Sequence, residues 1–126
     1  AALAGCSAGA MALTAGAPPG LGPGGRPRRA EADDEGDGLG LVGALAVIPH
    51  FDRLEGQRAD VVEWFAGWQP PGTTLVGVEE ETALVTAGDR WQVRGRGAVW
   101  VLAGGGPGKR GRERFGAGDE VDLPRP

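Results

Sequence analysis

The feature that most constrains the fold is a nearly continuous apolar run at residues 39–48, LGLVGALAVI. A short run without polar alternation is typical of a β-strand buried on both faces, as in a parallel sheet covered by helices on each side. Pro49 ends the run and is followed by His50, the one histidine of the chain. Open α/β sheets place their sites just beyond the carboxyl ends of their strands, so His50 is a candidate site residue. A loop histidine without a task is the alternative.

A second feature is the segment GCSAG at residues 5–9, which has the pattern G-x-S-x-G centred on Ser7. In hydrolases this pattern forms a sharp turn from strand to helix that leaves the serine hydroxyl exposed. The N–H of the following residue, here Ala8, then helps to hold an oxyanion. A chance match is the alternative, since the chain contains 25 glycines and is rich in alanine.

The same region has another interpretation, because residues 3–6 read LAGC and match a bacterial lipoprotein cleavage box. Cys6 would then be the lipidated residue of a surface-anchored module. That reading needs a basic segment and an apolar segment upstream, and the chain starts at Ala1 without an initiator methionine. We therefore interpret the chain as a fragment or a processed product. Cys6 is also a weaker candidate nucleophile than Ser7, which holds the central position of the motif.

The middle of the chain predicts a helix followed by strands. Apolar residues recur at spacings of three or four over residues 54–68, which indicates an amphipathic helix that Asp52 could cap. Four strands are predicted after it, at residues 74–78, 82–86, 91–93 and 98–102. We expect these strands to form a β-meander that closes the edge of a sheet. Of the three consecutive acids Glu79, Glu80 and Glu81, one could bind a metal or orient a base, and a solvated turn is the default for the others.

Glycine and proline are concentrated in two segments. Residues 16–38 contain a basic and an acidic cluster without apolar periodicity, and we interpret them as a flexible insertion. Residues 104–126 are glycine-rich and charged, and they predict a disordered tail.

Composition excludes several classes of function. The net charge of −4 gives no basic field for nucleic acid, and no apolar run reaches the roughly 18 residues of a membrane-spanning helix. A single cysteine excludes an intrachain disulfide and a cysteine-only metal cluster. We expect no metal, no cofactor, no nucleic-acid partner and no membrane partner, and a cytoplasmic location. The oligomeric state stays open.

Three segments occur in an order that resembles the peptidase E and cyanophycinase family of serine peptidases, which has the class I glutamine amidotransferase-like α/β fold. They are GCSAG at residues 5–9, GLGLV at 38–42 leading to PHFDR at 49–53, and GVEEETALV at 77–85. Ser7, His50 and Glu80 match the family's motif positions, and the resemblance covers about residues 3–103.

The resemblance implies a fold and an activity. The fold would be part of a three-layer α/β/α sheet with an elbow serine and a C-terminal β-meander, whose upstream strands are missing from this chain. The activity would be that of a serine-type peptidase or amidohydrolase acting on a small peptide or amide, next to an acidic residue. Ser7 would attack the carbonyl carbon, His50 would move the proton, and the N–H of Ala8 would supply half of the oxyanion hole. Arg53 and Arg58 would be candidates to hold a substrate carboxylate, with a helix-surface role as the alternative.

The sequence leaves several candidates for the third catalytic member. Asp52, two residues beyond His50, is our main candidate, and Glu31, Asp33 and Asp34 in the insertion are others. The competing function is a non-catalytic amidotransferase-like domain that serves in binding or regulation. Activity is assigned to a longer parent protein, and whether this portion is active alone is left open.

Overall fold

The computed structural model describes residues 2–17, 38–103 and 110–125, without the side chains of residues 87, 103, 110 and 111. Within these ranges the chain is mixed α/β, with three helices and two sheets. The helices are α1 (Ala8–Leu13), α2 (Phe51–Gln57) and α3 (Ala59–Trp68). The strands are β1 (Leu45–Ile48), β2 (Thr74–Val78), β3 (Thr82–Ala87), β4 (Arg90–Gly95), β5 (Ala98–Ala103), β6 (Arg110–Gly116) and β7 (Glu120–Val121).

The larger sheet has the order β1-β2-β5-β6. Strands β1 and β2 are parallel, with Ile48 opposite Gly77, and the chain crosses between them through α2 and α3. All four residues of β1 are buried, as the apolar run predicts. The other two pairs of this sheet are antiparallel.

One face of the larger sheet packs against the helices. Ala46, Ile48 and Leu75 point to this face, where they contact Phe51 of α2 and a set of side chains from α3. The α3 residues are Val62, Phe65 and Trp68. Complete burial of a side chain as large as Phe51 contributes about 1.5–3 kcal/mol to folding, so the start of α2 is firmly attached to the sheet.

The opposite face packs against the smaller sheet, whose order is β3-β4-β7. The neighbours of the helix-facing residues, Leu45 and Val76, point this way because side chains alternate along a strand. They meet Trp91 and Val93 of β4 and Val121 of β7. Among the described residues this face is therefore covered by strands, and the helical third layer of the expected α/β/α arrangement is not seen there.

The four strands after the helices lie close to their predicted positions, but the prediction of a continuous β-meander is wrong. Strand β2 pairs with β5, while β3 and β4 form a hairpin that belongs to the smaller sheet. The apolar pattern indicates where strands lie but not which strands pair. The hairpin belongs to the smaller sheet because Trp91 and Val93 bury their side chains against the face of the larger sheet.

The prediction of a disordered tail is also wrong for residues 110–125, which contain β6 and β7. Strand β6 is an edge strand of alternating charge, and charged edge strands are common because they discourage pairing with other chains. Phe115 packs against the core and Val121 is fully buried, which holds this segment in place. Most of the proposed 16–38 insertion, residues 18–37, lies outside the described residues, as do residues 104–109.

Two elements differ from their predicted bounds. Strand β1 covers only the last four residues of the apolar run, because the earlier residues bond to the end of α1: the N–H groups of Leu39 and Val42 donate to the carbonyls of Ala12 and Leu13. These bonds satisfy carbonyls that a helix end leaves unpaired. The predicted helix is two helices, which meet at Arg58 with backbone angles φ −139° and ψ 57°.

Gly77 of β2 leaves the space that the Phe51 ring occupies, and a Cβ there would lie 2.5 Å from a ring carbon. We expect Gly77→Ala to lower the free energy of unfolding by about 1–3 kcal/mol, because Phe51 must shift and move the start of α2. Gly67→Ala in α3 is the matched control, since a Cβ at this exposed position meets nothing within 4 Å. It should stabilise the chain by about 0.5–1 kcal/mol. Urea unfolding measures both, and equal effects would contradict this account.

Candidate active site

Ser7 lies immediately before α1 in a strained backbone conformation, with φ 50° and ψ −121°. The turn brings Gly5 against the first turns of the helix, where a Cβ would lie 2.6 Å from the carbonyl oxygen of Gly9 and 2.8 Å from Cδ1 of Leu13. Only glycine fits at position 5. A Cβ on Gly9 would meet nothing within 4 Å among the described residues, so packing there does not explain the second glycine of the motif.

His50 lies between the end of β1 and the start of α2, where the sequence placed it. Its backbone is left-handed, with φ 54° and ψ 37°, and its side chain makes no capping bond to α2. The imidazole therefore points to other partners. The buried ring of Phe51, the next residue, fixes the backbone from which it projects.

Glu80 lies between β2 and β3, in a loop whose backbone is bonded on both sides. The N–H of Glu80 donates to Oδ1 of Asp52 at 2.9 Å, and its carbonyl oxygen accepts from the Thr82 hydroxyl at 2.9 Å. The same hydroxyl accepts from the N–H of Gly97 at 2.9 Å, which ties the loop to the start of β5.

These three elements bring Ser7, His50 and Glu80 into one hydrogen-bonded series. Oγ of Ser7 lies 2.8 Å from Nε2 of His50, and Nδ1 of His50 lies 2.5 Å from Oε1 of Glu80. A carboxylate accepts hydrogen bonds only, so the proton of a neutral imidazole lies on Nδ1 and Nε2 is left to accept from the serine hydroxyl. This arrangement can remove a proton from Ser7 and hold it on His50.

Backbone strain is concentrated at the same place. Three non-glycine residues of the described chain have positive φ: Ser7, His50 and Glu81, the last with φ 53°. Two belong to the series, and the third directly follows Glu80. Such conformations cost on the order of 1–3 kcal/mol each and cluster at functional sites.

Asp52, the main candidate for the third member, is not bonded to His50. Its carboxylate accepts from the N–H of Glu80, and the position on Nδ1 is occupied by Glu80. The other candidates, Glu31, Asp33 and Asp34, lie outside the described residues.

Spacing alone does not distinguish the three consecutive glutamates Glu79, Glu80 and Glu81. The structure separates their tasks: Glu79 accepts from Nε1 of Trp100 at 2.7 Å, and Glu81 pairs with Arg96 at 3.6 Å. The sequence feature that favours Glu80 among them is its motif position in the segment at 77–85.

The remaining predicted residues are placed as follows. The N–H of Ala8 is the first of α1 and donates to no carbonyl within the described ranges, so it is free to face a ligand. Arg53 is exposed on α2 and does not line the cavity around Ser7. Arg58 bonds to the carboxylate of Asp60 at 3.1 Å, and this hydrogen bond lowers the pKa of Asp60.

A cavity of about 760 Å³ opens at the series. It is bounded by the segment before α1, by β1 and by β3, and Ser7, His50 and Glu80 all line it. Its walls carry apolar side chains such as Leu13, Val42 and Val85, together with the glutamates at 79–81. No lysine or arginine of the described chain lines this cavity.

Two wider searches cover the described part of the chain. They find no group of three or more histidine, cysteine or acidic side chains arranged to hold a metal ion. Among the same residues, no helix has the length and apolar character needed to cross a membrane.

This chain is similar to a solved structure described as the crystal structure of a peptidase from an acI-B1 Actinobacterium. The TM-score is 0.68 with 30% sequence identity, and the match covers 94% of this chain and 44% of that peptidase. This chain thus spans less than half the length of the protein it resembles. No family model matches the sequence, and no curated protein does. The chain has a mixed α/β fold like that of a peptidase.

Proposed function

We propose that this chain carries the catalytic centre of a serine-type peptidase or amidohydrolase built from Ser7, His50 and Glu80. The observation that carries the proposal is the hydrogen-bonded series from the serine hydroxyl through both imidazole nitrogens to a carboxylate, at 2.8 and 2.5 Å. Its components have the geometric relations of a nucleophile, a general base and an orienting acid. The similarity to a solved peptidase supports the same class of reaction.

Each member has one task in the reaction. Oγ of Ser7 attacks the carbonyl carbon of an amide while Nε2 of His50 takes the hydroxyl proton. Glu80 accepts the Nδ1 proton in a hydrogen bond throughout, which fixes the ring and stabilises the imidazolium without taking the proton. His50 then gives its proton to the leaving amine, and a water molecule, activated by the same nitrogen, releases the acyl group from Ser7.

The strained turn at Ser7 supports its assignment as an elbow nucleophile. In such a turn the hydroxyl stands clear of its own backbone, and the N–H of the next residue faces the same side. Ala8 supplies that N–H, which is unpaired among the described residues, and we assign it half of the oxyanion hole.

The proposed substrate is a small peptide or amide with an acidic residue next to the cleaved bond. This acidic residue is implied by the family resemblance, with Arg53 and Arg58 as the candidates to bind it, and Arg58 is bonded to Asp60. The described cavity walls contain glutamates and no arginine, so a cation for this task would come from Arg53 by reorientation or from residues outside those walls. Dipeptides with acidic, neutral and basic residues at each position separate these cases.

The first test is labelling with a fluorophosphonate, which reacts with activated serines. We expect Ser7→Ala and His50→Ala each to abolish labelling, because one removes the attacking oxygen and the other removes the base. The measurement is gel fluorescence of the 126-residue chain and of any longer polypeptide that contains it, with circular dichroism to confirm folding. Labelling of the longer form alone would mean that residues outside this chain complete the site. Folded protein that neither labels nor hydrolyses any dipeptide would overturn the proposal in favour of a binding or regulatory domain.

A second test examines Glu80. Glu80→Gln keeps the shape of the side chain but removes the charge that stabilises the imidazolium, and we expect the labelling rate to fall on the order of 10²–10⁴-fold. Glu81→Gln is the matched control, because Glu81 is the next residue and its carboxylate is exposed and pairs only with Arg96 among the described residues. Equal rates for the two variants would exclude Glu80 from the series.

The same pair of variants has a spectroscopic readout. His50 is the one histidine in the sequence, so ¹⁵N-histidine labelling of this chain gives a single imidazole, and its Nδ1 proton should resonate at low field. Glu80→Gln should move this resonance upfield, while Glu81→Gln should leave it in place.

A further inference from the structure

We propose that Asp52 is a positioning residue that acts through Glu80, and this proposal rests on the function proposed above. Asp52 lies in the first turn of α2, two residues beyond His50. Its Oδ1 accepts the N–H of Glu80 at 2.9 Å, whereas the side chain of Glu80 contacts Nδ1 of His50. Asp52 and His50, which lie in and directly before the first turn of α2, therefore hold Glu80 at two points, its backbone and its carboxylate.

This double attachment restricts movement of the Glu80 carboxylate relative to the His50 imidazole. Glu80 lies in a loop and projects a flexible side chain, so its carboxylate could move away from the imidazole if the backbone shifted. The bond from Asp52 sets the distance between the Glu80 backbone and the helix that carries His50. Both members of the His50–Glu80 pair are then attached to the first turn of α2, so a movement of α2 displaces them together.

The opposite side of the loop is fixed separately. The Thr82 hydroxyl donates to the carbonyl of Glu80 and accepts from the N–H of Gly97, and the space at Gly97 is small enough that a Cβ would lie 2.6 Å from that hydroxyl oxygen. Thr82 thus attaches the loop to β5, and Asp52 attaches it to α2. Only the Asp52 attachment leads to the helix that bears the base.

A role for Asp52 in capping or in direct contact with the base is less consistent with the contacts. The capping residue of α2 is His50, which makes no side-chain capping bond, and the carboxylate of Asp52 bonds to another loop instead. Its one bonded partner among the described residues is the N–H of Glu80. The geometry requires an acceptor oxygen at this position, and asparagine supplies one where alanine and leucine do not.

The test compares Asp52→Ala with Asp52→Asn. We expect Asp52→Ala to lower the rate of fluorophosphonate labelling about 10- to 100-fold, since displacement of a catalytic group by about 1 Å has effects of this size. Asp52→Asn keeps the acceptor oxygen and should restore most of the rate. Asp52→Leu, which has the shape of asparagine without the acceptor, should behave as alanine does and covers the case in which the smaller side chain unfolds the protein.

Asp60→Ala is the matched control, because Asp60 is also an exposed acid in the first turn of a helix and bonds to Arg58 instead of to the site. Its labelling rate should equal that of the unchanged protein. The low-field resonance of the His50 Nδ1 proton, recorded below the melting temperature of each variant, provides a readout that general destabilisation does not move. It should shift upfield in Asp52→Ala and stay in place in Asp52→Asn and Asp60→Ala.

The outcomes separate this proposal from the one it rests on. Unaltered labelling and an unaltered resonance in Asp52→Ala would overturn the positioning role, and so would an Asp52→Asn variant as impaired as Asp52→Ala. If the unchanged protein never labels and hydrolyses no dipeptide, the proposed function fails, while the resonance still shows whether Asp52 positions Glu80.

Discussion

The parallel pairing of β1 with β2 is the constraint on which the site depends. Parallel strands end at the same edge of a sheet, so residues that follow them are brought together. Ile48 lies opposite Gly77 in the register, His50 follows two residues after the first, and Glu80 follows three residues after the second. A register shifted by one residue would turn the buried side chains of β1 to the wrong faces and separate the two groups. The burial of β1 and β2 on both faces therefore sets which residues lie opposite each other, and so brings the segments that carry His50 and Glu80 to the same edge of the sheet.

A second contact carries this register to the site itself. Phe51 occupies the space above Gly77 and packs against Trp100, with ring centroids 6.0 Å apart. The indole N–H of Trp100 donates to Glu79, which precedes Glu80. The apolar core thus reaches the residue next to His50, and the Trp100 indole of that core is bonded to the residue before Glu80. This continuity explains how an exposed group of side chains can be held in place by the buried residues around it.

The sequence predicts those parts of this arrangement that depend on local pattern alone. The apolar run predicts a buried parallel strand, its end predicts the position of His50, and the G-x-S-x-G pattern selects Ser7. It was insufficient where the outcome depends on which elements meet. Asp52 is close to His50 in sequence, and Glu80 is indicated by its motif position. Only the fold shows that Asp52 contacts the backbone of Glu80 while Glu80 contacts the imidazole. The same limit applies to β6, whose alternating charges look like a solvated tail until its pairing with β5 is known.

Stability alone does not account for the conformation of the site. The side chains of His50 and Glu80 are 45% and 38% exposed, and pairs with such exposure contribute about 0–1 kcal/mol to folding. Yet Ser7 and His50 adopt backbone conformations with positive φ, which cost on the order of 1–3 kcal/mol each. A chain selected only for stability would relax both residues, because the hydrogen bonds of the site stabilise the fold by less than the backbone strain destabilises it. The geometry persists because the buried core around β1, β2 and Phe51 over-determines it, and what the strain maintains is the alignment of a hydroxyl, an imidazole and a carboxylate.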